Sequence, residues 1–171
     1  MEICRKVTGC EVLNSFYIIH TDSADIKIYF MTDEIIRFRV SFDKEFAEES
    51  YMLSLTAWED RLDSLFTDSE RKRITPIKPG LEDSDSKLTF TTAALRLEVD
   101  KDPLCVRLYD SDGTELYSSL AGSPFTLDSN RRITHYSRMN EDDCFYGFGE
   151  KAGVLNKNQA FLRQRATDAM G

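Results

Sequence analysis

Two histidines, four cysteines and 30 acidic residues are the groups with which this chain of 171 residues can do chemistry. A nucleophile needs a base within reach, and a metal needs ligands at short, regular spacing. His20 closes an apolar run from Phe16, and His135 lies in a strand-like stretch over residues 132–138. Neither stands in a Ser-His-Asp or Cys-His context, so acyl transfer has no support. Cys4, Cys10, Cys105 and Cys144 form no CxxC pair. No metal or other cofactor is therefore expected. Cys105 and Cys144 sit among apolar residues and read as small buried hydrophobes. The carboxylates suit chemistry in which two acids flank a glycosidic bond, but spacing alone picks out no such pair. Gly147 and Gly149, set among aromatics, follow a strand-like run, yet no phosphate-binding pattern continues from them.

The elements that position these groups are strands. In Ile26-Lys27-Ile28-Tyr29-Phe30 and in residues 36–42, apolar side chains fall at every second position. That period gives a strand one buried and one wet face. Thr32-Asp33-Glu34 reads as the turn of a hairpin between them. The run 16–20 suits a strand buried on both faces. Leu95, Leu97 and Val99 alternate with charges, Lys101-Asp102-Pro103 turns the chain, and Leu104, Val106 and Leu108 resume the pattern. Asp110-Ser111-Asp112-Gly113 is a further turn, leading to a strand over 115–119. Strands are also expected at 132–138 and 144–148, on either side of the polar turn Asn140-Glu141-Asp142-Asp143.

Two stretches break the pattern. Trp58, Leu62, Leu65 and Phe66 have helical spacing, which predicts one short amphipathic helix over 58–66 with Trp58 in its packed face rather than as a sugar platform. Residues 75–86, rich in Pro, Gly, Asp and Ser, read as a loop. Short strands with frequent turns predict a mainly β fold, an antiparallel β-sandwich in a single domain.

The formal net charge of -8 argues against a nucleic-acid partner. The basic run Arg71-Lys72-Arg73 is short and flanked by acids, as in a solvated loop. No run approaches the roughly 18 apolar residues that span a bilayer, so no membrane partner is expected. The first residues lack the features of a signal peptide, and a cytoplasmic location is the simplest expectation.

The most informative segment is Cys144-Phe145-Tyr146-Gly147-Phe148-Gly149-Glu150-Lys151, with Thr167-Asp168-Ala169-Met170-Gly171 further on. The first resembles the YGLGE(K) signature of glycoside hydrolase family 31, the α-glucosidases, α-xylosidases and their relatives. The second is similar to that family's TDAxGY stretch. Leu95–Val99, Asp102-Pro103-Leu104 and Asp112-Gly113-Thr114 resemble the family's preceding hairpin, so the likeness covers at least residues 87–171.

The resemblance implies a galactose-mutarotase-like N-terminal sandwich followed by a catalytic (β/α)8 barrel. In such a barrel one Asp is nucleophile and another acid/base in a retaining mechanism. It also implies that Asp168 contacts the sugar, and that Gly147, Gly149, Glu150 and Lys151 support the loop that brings it there. Thr167 stands where some members place Arg. On this expectation the chain has no catalytic residue of its own, would not hydrolyse α-glucosides alone, and is cut off before its barrel. Its partners would be an α-glucoside or α-xyloside and that barrel. The competing readings are a self-contained carbohydrate-binding module and an aldose epimerase, the latter requiring a histidine acid and a carboxylate base.

Overall fold

The structure is a computed structural model describing residues 1–14, 16–46, 76–148, 153–158 and 160–162. Among the described residues all regular structure is strand. The helix expected over 58–66, Trp58 and the basic run at 71–73 lie outside them. The chain divides into two compact units, Met1–Arg138 and Met139–Gly171.

Among the described residues the first unit holds twelve strands in three antiparallel sheets. A four-stranded sheet runs β2 (Val7–Val12), β3 (Tyr17–Thr21), β4 (Asp25–Phe30), β5 (Ile36–Ser41). A five-stranded sheet comprises β6 (Gly80–Asp83), β7 (Lys87–Thr91), β8 (Leu95–Lys101), β9 (Leu104–Asp110) and β10 (Glu115–Ser118), again in chain order. The third sheet joins β1 (Glu2–Ile3), β11 (Phe125–Leu127) and β12 (Ile133–His135), with β11 central.

Register follows the hydrophobic alternation, because a slip of one residue would turn every apolar side chain to the wrong face. Ile19 pairs with Ile26, Ile28 with Phe38, Leu88 with Val99, and Leu97 with Leu108. These inward residues from the four- and five-stranded sheets form one continuous core. At its centre Tyr17, Phe30 and Phe90 meet with ring centroids 4.9–5.8 Å apart, two of the three contacts edge-on. Each such side chain stabilises the fold by about 1.5–3 kcal/mol through burial. Ring-on-ring geometry adds about 0.5–1.5 kcal/mol per pair.

The turns are built as their residues suggest. In the β4–β5 turn, Asp33 accepts from the Ala93 N–H through Oδ1, and its carbonyl accepts from the Thr92 hydroxyl. The β7–β8 turn is thereby fastened to the opposite sheet. In the β9–β10 turn Asp110 Oδ1 accepts from the N–H groups of Asp112 and Thr114, and Gly113 takes φ of +84°. A side chain there would be strained.

Several expectations are corrected. Residues 80–83, read as loop, form β6: Leu81 is the strand's one half-buried apolar residue, and backbone pairing with β7 makes the strand. β3 is not buried on both faces; Tyr17, Ile19 and Thr21 are buried while Ile18 and His20 are half-buried. The strand over 132–138 contracts to β12, followed by a single bridge between Ser137 and Ser119. Residues 144–148 form no strand, and Cys144 is exposed rather than buried. Cys105 is buried as expected, and all four cysteines are free thiols.

Candidate functional site

The signature segment lies in the second unit, where asparagine side chains hold paired chain segments and none of the described residues is buried. Asn156 is the anchor. Its Oδ1 accepts from the N–H groups of Phe145 at 2.9 Å and Asn158 at 3.0 Å, while Nδ2 points at Cys144 Sγ, 3.3 Å away. Asn158 Nδ2 donates to the Asp143 carbonyl at 2.8 Å, and the Lys157 N–H to the Phe145 carbonyl at 2.7 Å. The turn expected at 140–143 is present: the Asn140 N–H donates to Asp143 Oδ2 at 2.7 Å.

Beyond this anchor, Gly147 (φ +90°) and Phe148 (φ +67°) take consecutive left-handed conformations. A non-glycine residue there is uncommon. The bend explains why alternating apolar residues did not yield a strand. Phe145, Tyr146 and Phe148 are exposed. A hydrogen bond with the Cys144 thiol pushes the Tyr146 phenol above its ordinary value. Of the residues singled out from the sequence, Gly147 is in this bend. Gly149, Glu150, Lys151 and Asp168 lie outside the described residues.

In the first unit, an apolar cleft of about 470 Å³ opens where the three sheets meet, lined among others by Phe38, Leu108 and Phe125. Its polar groups are Tyr117 and His135. His135 Nδ1 lies 2.9 Å from the Pro124 carbonyl, which can only accept, so this nitrogen carries the proton. Nε2 then accepts from the Tyr117 hydroxyl at 2.7 Å. Burial pushes the Tyr117 phenol up to about 12, which keeps it a donor. His135 also stacks on Phe125, with centroids 4.8 Å apart. The pairing of Tyr117 with His135 was not visible in the sequence, because it depends on which strands neighbour each other.

His20 is the other histidine with a defined setting. Nδ1 lies 2.8 Å from Asp25 Oδ1 and Nε2 3.1 Å from Glu11 Oε1, so one imidazole ties β2, β3 and β4 together. The hydrogen bond to Asp25 raises its pKa above 6.5; burial opposes that rise and Glu11 reinforces it. An epimerase would hold acid and base on either side of a substrate. Here they are spent on each other, and His135 has no carboxylate partner among the described residues. No group of three or more His, Cys, Asp or Glu side chains able to hold a metal is found among the described residues.

Comparison with known proteins decides the family. The model of the glycosyl hydrolase 31 N-terminal galactose mutarotase-like domain matches residues 25–171. The chain belongs to that family. Alpha-glucosidase 2 of Bacillus thermoamyloliquefaciens is 28% identical over 150 residues, covering 87% of this chain and 17% of that enzyme. The chain therefore spans about a sixth of that relative's length. Among solved structures, the family 31 dextranase of Flavobacterium johnsoniae, with isomaltotriose bound, superposes with a TM-score of 0.72 at 21% identity. It covers 92% of this chain and 18% of its own. The cycloalternan-forming enzyme of Listeria monocytogenes, in complex with a pentasaccharide substrate, gives 0.67 at 18% identity, covering 91% and 14%. The fold is thus that of the family 31 mutarotase-like sandwich, and the homologous enzymes are glycoside hydrolases.

Proposed function

We propose that this domain serves a retaining α-glycoside hydrolase of α-glucosidase type as its non-catalytic N-terminal part, with the nucleophile and the acid/base on a barrel elsewhere in the whole protein. The observation that carries this reading is the family match, which runs through the bend at Gly147 and on to Gly171. The geometry supports it. The cleft where the three sheets meet offers a phenol and an imidazole already engaged with each other, and no carboxylate pair among the described residues that line it. Its apolar walls suit contact with another folded body better than hydrolysis.

Within this reading Asp168 orients the sugar. A carboxylate can accept from two hydroxyls at once, and charge-assisted bonds of this kind are the stronger ones. Gly147, Gly149, Glu150 and Lys151 shape the loop that presents it. The substrate is an α-glucoside or an α-xyloside.

The test is Asp168→Asn in the full-length protein. Loss of a hydrogen bond to a charged group costs about 1.5–3 kcal/mol, so kcat/KM on an α-glucoside should fall about ten- to a hundredfold with the fold intact. Unchanged kcat/KM would remove Asp168 from the site. Turnover of a chromogenic α-glucoside by purified 1–171, above a contaminant control, would overturn the non-catalytic assignment.

A further inference from the structure

The second pocket of interest lies on the sandwich unit, between the end of edge strand β5 with the turn after it and the β11–β12 hairpin. It measures about 220 Å³ and is lined by Arg39, Asp43, Glu45, Arg131, Leu127 and Ile133, among others. Two backbone positions are unusual, one in the lining of this pocket and one beside it. Lys44, in the first turn, has φ of +62°, and Arg131, in the hairpin, has φ of +59°. Side chains rarely adopt this region, and such residues cluster at ligand sites.

Each turn is braced by one carboxylate. Asp128 Oδ1 accepts from the N–H groups of Asn130 and Arg132, fixing the backbone that carries Arg131. Asp43 Oδ1 accepts from the Ser41 hydroxyl and the Glu45 N–H. Its Oδ2 is left without a hydrogen-bond partner among the described residues. The Ser41 bond, first, and then the Glu45 N–H hold the Asp43 carboxyl below its ordinary range, with Arg131 adding to the effect. Arg39 is held against the ring of Phe46, 5.5 Å from its centroid.

We propose that this pocket is a binding subsite for a neutral sugar ring, with Asp43 accepting from its hydroxyls and Arg131 donating to them. The chemistry selects the ligand. Among the described lining residues both signs are present, Arg39 and Arg131 beside Asp43 and Glu45, so a phosphate would meet two carboxylates and a cation two guanidinium groups. A sugar hydroxyl both donates and accepts, and adjacent hydroxyls can therefore engage a carboxylate and a guanidinium together. The C–H face of the ring can rest on Leu127 and on Ile133, which is 55% exposed. The larger cleft lacks this balance, because its polar pair is closed on itself.

This inference goes beyond the assignment of Asp168 and fails separately from it. The experiment titrates 15N-labelled chain 1–171 with maltotriose and with isomaltotriose, reading amide shifts. Saturable shifts confined to residues 39–46 and 127–133 are expected, weakened about tenfold or more in Asp43→Asn and in Arg131→Gly. Arg131→Gly also relieves the strained backbone, so its spectrum remains that of a folded protein even if Asp43→Asn is destabilised. Tyr117→Phe should bind as the parent does. Absence of saturable shifts with either sugar overturns the subsite. So do equal affinity in both variants and displacement of sugar by inorganic phosphate. Binding lost only in Asp168→Asn would overturn the subsite while supporting the other assignment.

Discussion

The two units of this chain are held by different physics. In the sandwich, Ile19, Ile26, Ile28, Leu88, Phe90, Leu97 and Val99 are almost wholly buried, and many contacts share the load. In the segment from Met139, chain is tied to chain through Asn156 and Asn158, while Phe145, Tyr146, Val154 and Leu155 are exposed. A burial-based unit loses stability in proportion to the volume removed and tolerates exchange of one apolar residue for another. A unit based on hydrogen bonds depends on the identity of single residues. The first suits a scaffold and the second suits a loop whose shape must be specified.

The largest effect should come from Phe90→Ala, which removes the ring that contacts both Tyr17 and Phe30. Such truncations cost about 3–5 kcal/mol. The urea midpoint of the sandwich should drop accordingly. A change below about 1 kcal/mol would show that the aromatic triangle is not the centre of the core.

Asn156→Ala should act on the other side of the comparison. Two backbone N–H groups lose their acceptor, at about 0.5–1.5 kcal/mol each. Hydrogen exchange at Phe145 and Asn158 should speed up while the sandwich midpoint stays put. If the midpoint moved with it, the two units would not be separately stabilised.

The smallest effect is the pH dependence of His20. Its folded pKa is raised above 6.5, so the stabilisation is fully present below that value. It is lost as pH rises through the folded pKa. The stability gap between the parent and His20→Gln should therefore narrow as pH is raised from about 6.5 through the folded pKa. A gap constant over that range would mean that the clamp across β2, β3 and β4 owes nothing to the imidazolium.

How far each unit was legible in the sequence follows the same division. The hairpins β4–β5 and β8–β9 could be read because a buried sheet face imposes period two on the chain. β6 escaped because a strand with one apolar residue owes its form to its neighbour's backbone. In the second unit the apolar run at 144–148 suggested a buried strand, whereas a left-handed bend at Gly147 and Phe148 turns it outward. The signal available in the sequence was Asn156 and Asn158. Asparagine side chains can themselves supply the hydrogen bonds of a turn, and here they do. The contacts of His20 and His135 depend on strand neighbours and registers, which no local pattern specifies. Of the site residues, Gly149, Glu150, Lys151 and Asp168 lie outside the described residues, and the bend at Gly147 gives a physical reason for one of the motif's glycines.

The pairing of β1 has a consequence for how the chain acquires its fold. Both large sheets are runs of consecutive hairpins, so most of their pairing closes short loops and is kinetically cheap. β1 is different: Glu2 pairs with Leu127, Ile3 with Thr126, and the Cys4 N–H donates to the Phe125 carbonyl. During synthesis the Ile3 carbonyl can meet the Ser23 hydroxyl early, but among the described strands the first strand has nothing to pair with until β11 has emerged. Residues 2–4 then act as a late seam, drawn shut across sheets that have already formed.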